Sequence, residues 1–297
     1  MPYRKIGCSG WSYKQWVGPF YPPGTRQEDY LKLYSRIFDA VEVDSTFYGI
    51  PSVETVEKWY KTTPDDFTFY PKFPQEITHS PSTNDIEAKI EAFLDAVDGL
   101  GKKLGTVLIQ FPSNFKYPSG SEKLHRIMRS LPGGYRYAIE FRDNSWFSRP
   151  TISDIQSMGI VIVWSETPFL RDQPLPVSNS IYLRLVGDRS IKETDFGKVK
   201  IDQSEKIEFW AKRIKESLDG IQDFVVFANN HFQGFSPRNC ERFQVGFGNG
   251  STGLEESFRR ELEELEWVIV QQMGLGLNTL YNQCSYLVNF CFCFVKK

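Results

Sequence analysis

Eight short runs of β-branched and aromatic residues recur along the chain, at 5–9, 40–44, 67–72, 106–110, 137–140, 160–164, 181–185 and 224–229. Stretches with helical spacing separate them. Ile86, Ile90, Phe93, Leu94, Val97 and Leu100 form the clearest stripe, with Asn84 expected as N-cap and Glu87 three residues on. Further stripes are Tyr30, Tyr34, Ile37 and Phe38; Leu124, Ile127, Met128 and Leu131; and Ile207, Trp210, Ile214 and Leu218. Strands alternating with helices imply right-handed βαβ units and parallel sheet. Eight such units in 297 residues point to one α/β domain, a (β/α)8 TIM barrel, rather than an open doubly wound sheet. Between 167 and 180, Pro168, Pro174 and Pro176 allow at most a short helix.

The barrel is expected to occupy residues 1–266, leaving an apolar tail at 267–297. From Trp267 through Val295 no side chain is charged, a stretch long enough to cross a bilayer. Its six Asn and Gln side chains and two glycines favour a docked or disordered tail over a membrane span. The N-terminus lacks the apolar core of a signal peptide, and five scattered cysteines without paired CxxC motifs read as reduced thiols. A cytoplasmic protein is the expectation. The formal charge of -2 gives no chain-wide attraction to nucleic acid, so any such contact needs a local basic patch. Neither GxGxxG nor a P-loop occurs, since IGCSGWSY has the wrong spacing for both.

In barrels the chemistry sits where the strands end. The second run closes on Glu42 and Asp44, which share a face because side chains alternate along a strand. The third closes on Lys72, the fourth on Gln110, the fifth on Glu140 and Arg142, the seventh on Arg184, and the eighth runs into Asn230 and His231. One reading of this polar ring is mutual neutralisation of three acids by Lys72, Arg142 and Arg184. Another makes Glu42 and Glu140 an acid/base pair, oriented by Asn230 and Gln110. Trp11, Trp16 and Trp146 lie on loops after strands, where an indole can stack on a sugar or a base, or pack a lid. His79 and His231 also follow strands and are candidates for the mouth, whereas His125 belongs on a solvated helix face. Three histidines are too few for a histidine-rich multinuclear centre. No cofactor is required, and a single divalent cation on carboxylates is left open.

The blocks IGCSGWSYKQWVGPFYP, VEVDSTFYGIPSVETVEKW, FTFYPKFPQEITH, LGTVLIQFPSNF, YAIEFRDNSWF, YLRLVGD and VFANNHFQG, in this order, resemble the domain-of-unknown-function family 72, the YecE-like proteins, through about Arg242. The resemblance implies a TIM barrel and no established activity. Asp143 and Val186 stand where the family often has histidine, so a mechanism through those histidines does not carry over. Such barrels are similar in fold to endonuclease IV and the xylose-isomerase-like group, which implies phosphodiester or sugar ligands. Three functions follow from these residues. The first is binding or hydrolysis of an anionic, nucleotide or nucleic-acid ligand, with Lys72, Arg142 and Arg184 on phosphates. The second is a glycosidase-like enzyme using Glu42 and Glu140. The third is a noncatalytic binding protein.

Overall fold

The computed structural model describes residues 3–82, 84–170, 173–176 and 178–247. The tail at 267–297 lies outside the described residues. Nine strands are present among the described residues: β1 (Tyr3–Ser9), β2 (Ala40–Val43), β3 (Thr68–Pro71), β4 (Val107–Gln110), β5 (Tyr137–Glu140), β6 (Val161–Ile162), β7 (Trp164–Glu166), β8 (Ser180–Leu185) and β9 (Asp223–Ala228). Among and after them lie α1 (Tyr30–Ile37), α2 (Val53–Thr62), α3 (Gln75–Thr78), α4 (Ile86–Asp98), α5 (Ser121–Arg129), α6 (Arg149–Ser157), α7 (Ser204–Glu216), α8 (Asn230–Gln233) and α9 (Ser236–Gly246), and among the described residues no helix separates β6, β7 and β8. This is an α/β fold in which every ladder is parallel.

Six strands follow the order β3-β2-β1-β9-β8-β7 and three the order β4-β5-β6. The first and last strands are neighbours, with Gly7 opposite Phe227 and Cys8 opposite Ala228. Between β3 and β4 the Gly105 amide donates to the Phe69 carbonyl at 2.7 Å and the Phe73 amide to the Leu108 carbonyl at 2.9 Å. The expected sixth strand is two. Its first half pairs with β5 and its second with β8, so the run changes partner at Val163 and its ladder is interrupted there.

Each expected stripe lies on a helix except for its last residue, since Phe38, Leu100, Leu131 and Leu218 fall just past the helix ends. Ile86, Ile90, Phe93, Leu94 and Val97 of α4 are buried, as are Leu124, Ile127 and Met128 of α5 and Ile207, Trp210 and Ile214 of α7. The cap of α4 is corrected: Asp85, at φ 54°, holds the N-cap position that the sequence assigned to Asn84, and its side chain makes no capping bond. Glu87 turns instead to Arg126 of α5, at 3.0 Å. Inside the strands, Ala40, Tyr70, Leu108, Ala138, Val161, Val163, Tyr182, Val225 and Phe227 form one apolar cluster drawn from both sheets. A polar layer lies beyond it, toward the strand ends.

Candidate functional site

Arg184 is the centre of that layer. On β8, Tyr182 and Arg184 are two residues apart and share a face. The guanidinium grips Glu42 with two parallel bonds, Nε to Oε2 at 2.8 Å and Nη2 to Oε1 at 2.6 Å. Its Nη1 donates to Glu140 Oε2. Glu42 also accepts from Tyr182 Oη at 2.9 Å and from Ser9 Oγ at 2.8 Å, while Glu140 accepts from Ser165 Oγ at 3.2 Å. Both glutamates are fully buried and Arg184 is 2% exposed. Burial raises the Glu140 carboxyl, but Arg184, Arg142 and Lys72 outweigh it and hold the group below the usual carboxylate range. Burial likewise opposes the charge on Arg184, and Glu140 and Glu42 reverse the effect, so its pKa lies well above normal.

This geometry realises the mutual-neutralisation reading for three of the named residues. Both carboxylates are joined through one guanidinium, and a proton donor requires the opposite environment from the one Glu140 has. Arg184, expected on a phosphate, has its fork taken up by carboxylates. The four acceptor positions of Glu42 are filled by Ser9, Tyr182 and the two Arg184 bonds, so a metal ion there would have to displace one of these donors. Among the described residues no group of three or more His, Cys, Asp and Glu side chains is placed to hold one.

A second set of charges lies around this centre. Asp44, just past the end of β2, opens a 3-10 turn (Asp44–Phe47) and pairs with Lys72 at 3.4 Å. Lys72 also lies 4.4 Å from the centre of the Phe47 ring. Burial lowers the Lys72 pKa, and Asp44 works against that. Arg142 donates from Nη2 to Gln110 Oε1 at 3.1 Å and faces the Phe169 ring at 5.8 Å. Its Nε is 3.5 Å from Glu140 Oε1, within ion-pair range but not aligned as a hydrogen bond, and that buried N–H has no hydrogen-bond partner among the described residues.

His79, half-buried just after α3, meets the Phe47 ring edge-on at 4.9 Å. Its Nδ1 is 2.8 Å from Thr78 Oγ1. Burial first, then Lys72, Arg142 and Lys123, push its pKa down to about 4. Lys123 escaped the sequence reading. From α5 its ammonium donates to the carbonyls of Thr78, at 3.0 Å, and Ser80, on either side of His79, and burial lowers its pKa to about 8. A lysine beside an apolar stripe looks like any solvated lysine in sequence. Tyr182 was legible, since YLR on a strand puts Tyr182 on the face of Arg184.

The remaining candidates lie elsewhere. Asn230 is buried at the start of α8, where Oδ1 accepts from Trp16 Nε1 at 3.2 Å, from the Ser236 amide at 3.1 Å and from Ser236 Oγ at 3.0 Å. It ties the loop after β1 to α9. His231 sits 3.0 Å from the Ile191 carbonyl and faces Arg189, Glu193 and Asp188 rather than Lys72 and Arg142. Trp16 and Trp146 are buried, the latter stacked on Phe115 and Phe141 with its N–H on the Phe115 carbonyl. Neither presents an open face to a ligand, which corrects their expected place as platforms. Trp11, half-buried, packs edge-on against Trp59 at 5.6 Å. The exposed rings on loops after strands are Tyr48, Tyr117 and Phe169. His125 is exposed on α5, as its position off the apolar stripe required.

Comparison with known proteins accords with these blocks. YunF of Bacillus subtilis (strain 168), a UPF0759 protein, is 30% identical over 252 residues, covering 76% of this chain and 88% of YunF. YecE of Escherichia coli (strain K12) is 32% identical over 144 residues, 48% of this chain and 50% of YecE. A DUF72 family protein from Thermotoga maritima MSB8 has a similar structure, with a TM-score of 0.70 at 26% identity, covering 82% of this chain and 99% of the other. One from Enterococcus faecalis V583 gives 0.65 at 21% identity, covering 83% and 98%. The family model described as Protein of unknown function DUF72 matches residues 5–262, twenty residues beyond the stretch legible from the blocks alone. On that match the chain belongs to the DUF72 family.

Proposed function

We propose that the chain is a closed (β/α)8 barrel whose mouth binds a phosphate-bearing ligand, a nucleotide or single-stranded nucleic acid. Closure is supported by the bonds between β3 and β4, by the run at 161–166 that pairs with β5 and then β8, and by the apolar cluster shared between both sheets. A cytoplasmic, reducing setting suits Cys8 and Cys240, two buried free thiols whose sulfurs are 3.6 Å apart.

The observation that carries the ligand reading is the setting of His79, where the cations Lys72, Arg142 and Lys123 outnumber the carboxylates Glu140 and Asp44, the latter paired with Lys72. Glu140 is itself bonded to Arg184. A local excess of positive charge at a half-exposed site, in a chain of net charge -2, matches an anion. Tyr48 and Phe169 add open rings on loops around it, as base stacking requires. In this reading Glu42 and Glu140 are counter-charges that fix Arg184, and the site binds. The carbohydrate reading has less support, because its general acid must be protonated at working pH and Glu140 is held ionised.

Fluorescence anisotropy with labelled single-stranded oligonucleotides, mononucleotides and neutral oligosaccharides, at low and physiological salt, tests the proposal. Phosphate ligands should bind with a steep salt dependence, and Arg142→Ala should flatten the slope by about 0.7, one single-strand phosphate's worth. Absence of affinity for any phosphate ligand at low salt would overturn it.

A further inference from the structure

We propose that the mouth takes its oxyanion together with a proton from solvent, and that His79 is the group that receives the proton. The inference rests on the anion-binding reading and adds its coupling to pH. His79 and Lys72 both contact the Phe47 ring, the imidazole in a T-shaped pair with ring centres 4.9 Å apart and the ammonium 4.4 Å from the ring centre. An anion on Lys72 therefore lies beside His79. The imidazole is also held in place. Lys123 bonds the carbonyls of the residues before and after it, and Thr78 Oγ1 meets Nδ1.

The charged groups acting on His79 come from three elements: Lys72 from the end of β3, Lys123 from α5, and Arg142 with Glu140 from the end of β5. Asp44, paired with Lys72, is the nearby carboxylate of the β2 end. Burial first, and then the repulsion of three cations, disfavour the imidazolium, and in the free protein His79 is neutral down to pH about 4. A dianion docked on Lys72 and Arg142 cancels that repulsion and adds an attraction of its own. An opposite charge within ~4–6 Å raises a histidine's pKa by about 1–3 pH units.

The sign follows. Between the free value, about 4, and the higher bound value, the complex carries one more proton than its parts. Affinity for an anion of constant charge should therefore strengthen up to about tenfold for each pH unit of acidification through that window. It should level off below the free value and above the bound one.

Sulfate is the probe, because its own charge does not change in this range. The protein has only three histidines, so imidazole signals can be followed by NMR from pH 4 to 8, with and without sulfate. His125, exposed on α5, and His231, against Ile191, are internal controls. The midpoint of His79 should move up by at least one pH unit on saturation with sulfate while the other two stay. Lys123→Met should raise the His79 midpoint without sulfate, since it removes one of the three cations. His79→Gln should bind sulfate with no pH dependence in the window. Sulfate saturation with an unmoved His79 midpoint in the unaltered protein would overturn the coupling and leave the binding reading intact. Binding of neither sulfate nor a phosphate monoester at any pH would overturn both.

Discussion

Arg184 shows why a charged residue can be built into the interior of a parallel-sheet fold. Its cost of burial is offset only because two carboxylates, a tyrosine and two serines complete the hydrogen bonding around it. Removing Arg184 leaves two buried carboxylates facing each other, and removing either carboxylate leaves part of the guanidinium without its charged partner. Glu42→Gln and Arg184→Gln should each lower stability by about 3–5 kcal/mol, measured by urea unfolding at pH 7. Losses below about 1 kcal/mol would mean the network is not a stability element. Glu140 adds a pH dependence whose sign is set by its lowered pKa. Its ionised form contributes stability above the ordinary value of 4.5, and that contribution is lost as pH falls through the lower folded value. Acid unfolding of Glu140→Gln should therefore start from lower stability and lose less of it as pH falls below 4.5.

At the scale of elements, β1 is the strand that everything else is fitted to. Tyr34 of α1 reaches it, accepting from the Cys8 amide at 2.7 Å and donating to the Ala40 carbonyl of β2 at 2.9 Å. Cys240 of α9 donates to the Gly7 carbonyl at 3.1 Å. There is no room for a side chain at Gly7, where a Cβ would fall 2.0 Å from the Ala40 carbonyl oxygen. Gly7→Ala must push β1 away from β2, and overpacking of this kind costs about 1–3 kcal/mol or more. Thermal melts should show it, and an unchanged melting temperature would mean that the two strands separate freely. A glycine in a strand usually weakens it, so this one is retained for clearance.

For the molecule as a whole, the last strand lies beside the first and α9 follows it, so the described elements are complete by Gly246. The family match ends at residue 262. A chain ended at Glu266 should therefore melt cooperatively, with a midpoint within a few degrees of the full chain by circular dichroism. One ended at Gly234, lacking α9 and its Cys240 contact, should not fold. An unfolded product from the longer of the two would make the apolar tail part of the core.

Local order was readable because it depends on near neighbours in the chain. The eight runs, the stripes of α4, α5 and α7 and the exposed His125 all follow from residue spacing. The strand-end position of Glu42, Glu140 and Arg184 was readable too, because alternation along a strand is a property of the strand alone. Which charges meet was not. Glu42 and Arg184 are separated by 142 residues, and only the tertiary structure brings them to 2.6 Å. The same holds for Trp16, buried and bonded to Asn230 at a separation of 214, and for Lys123, which the packing of α5 brings to the carbonyls on either side of His79. Pairing of charges depends on distance and desolvation, and neither exists until the chain is folded.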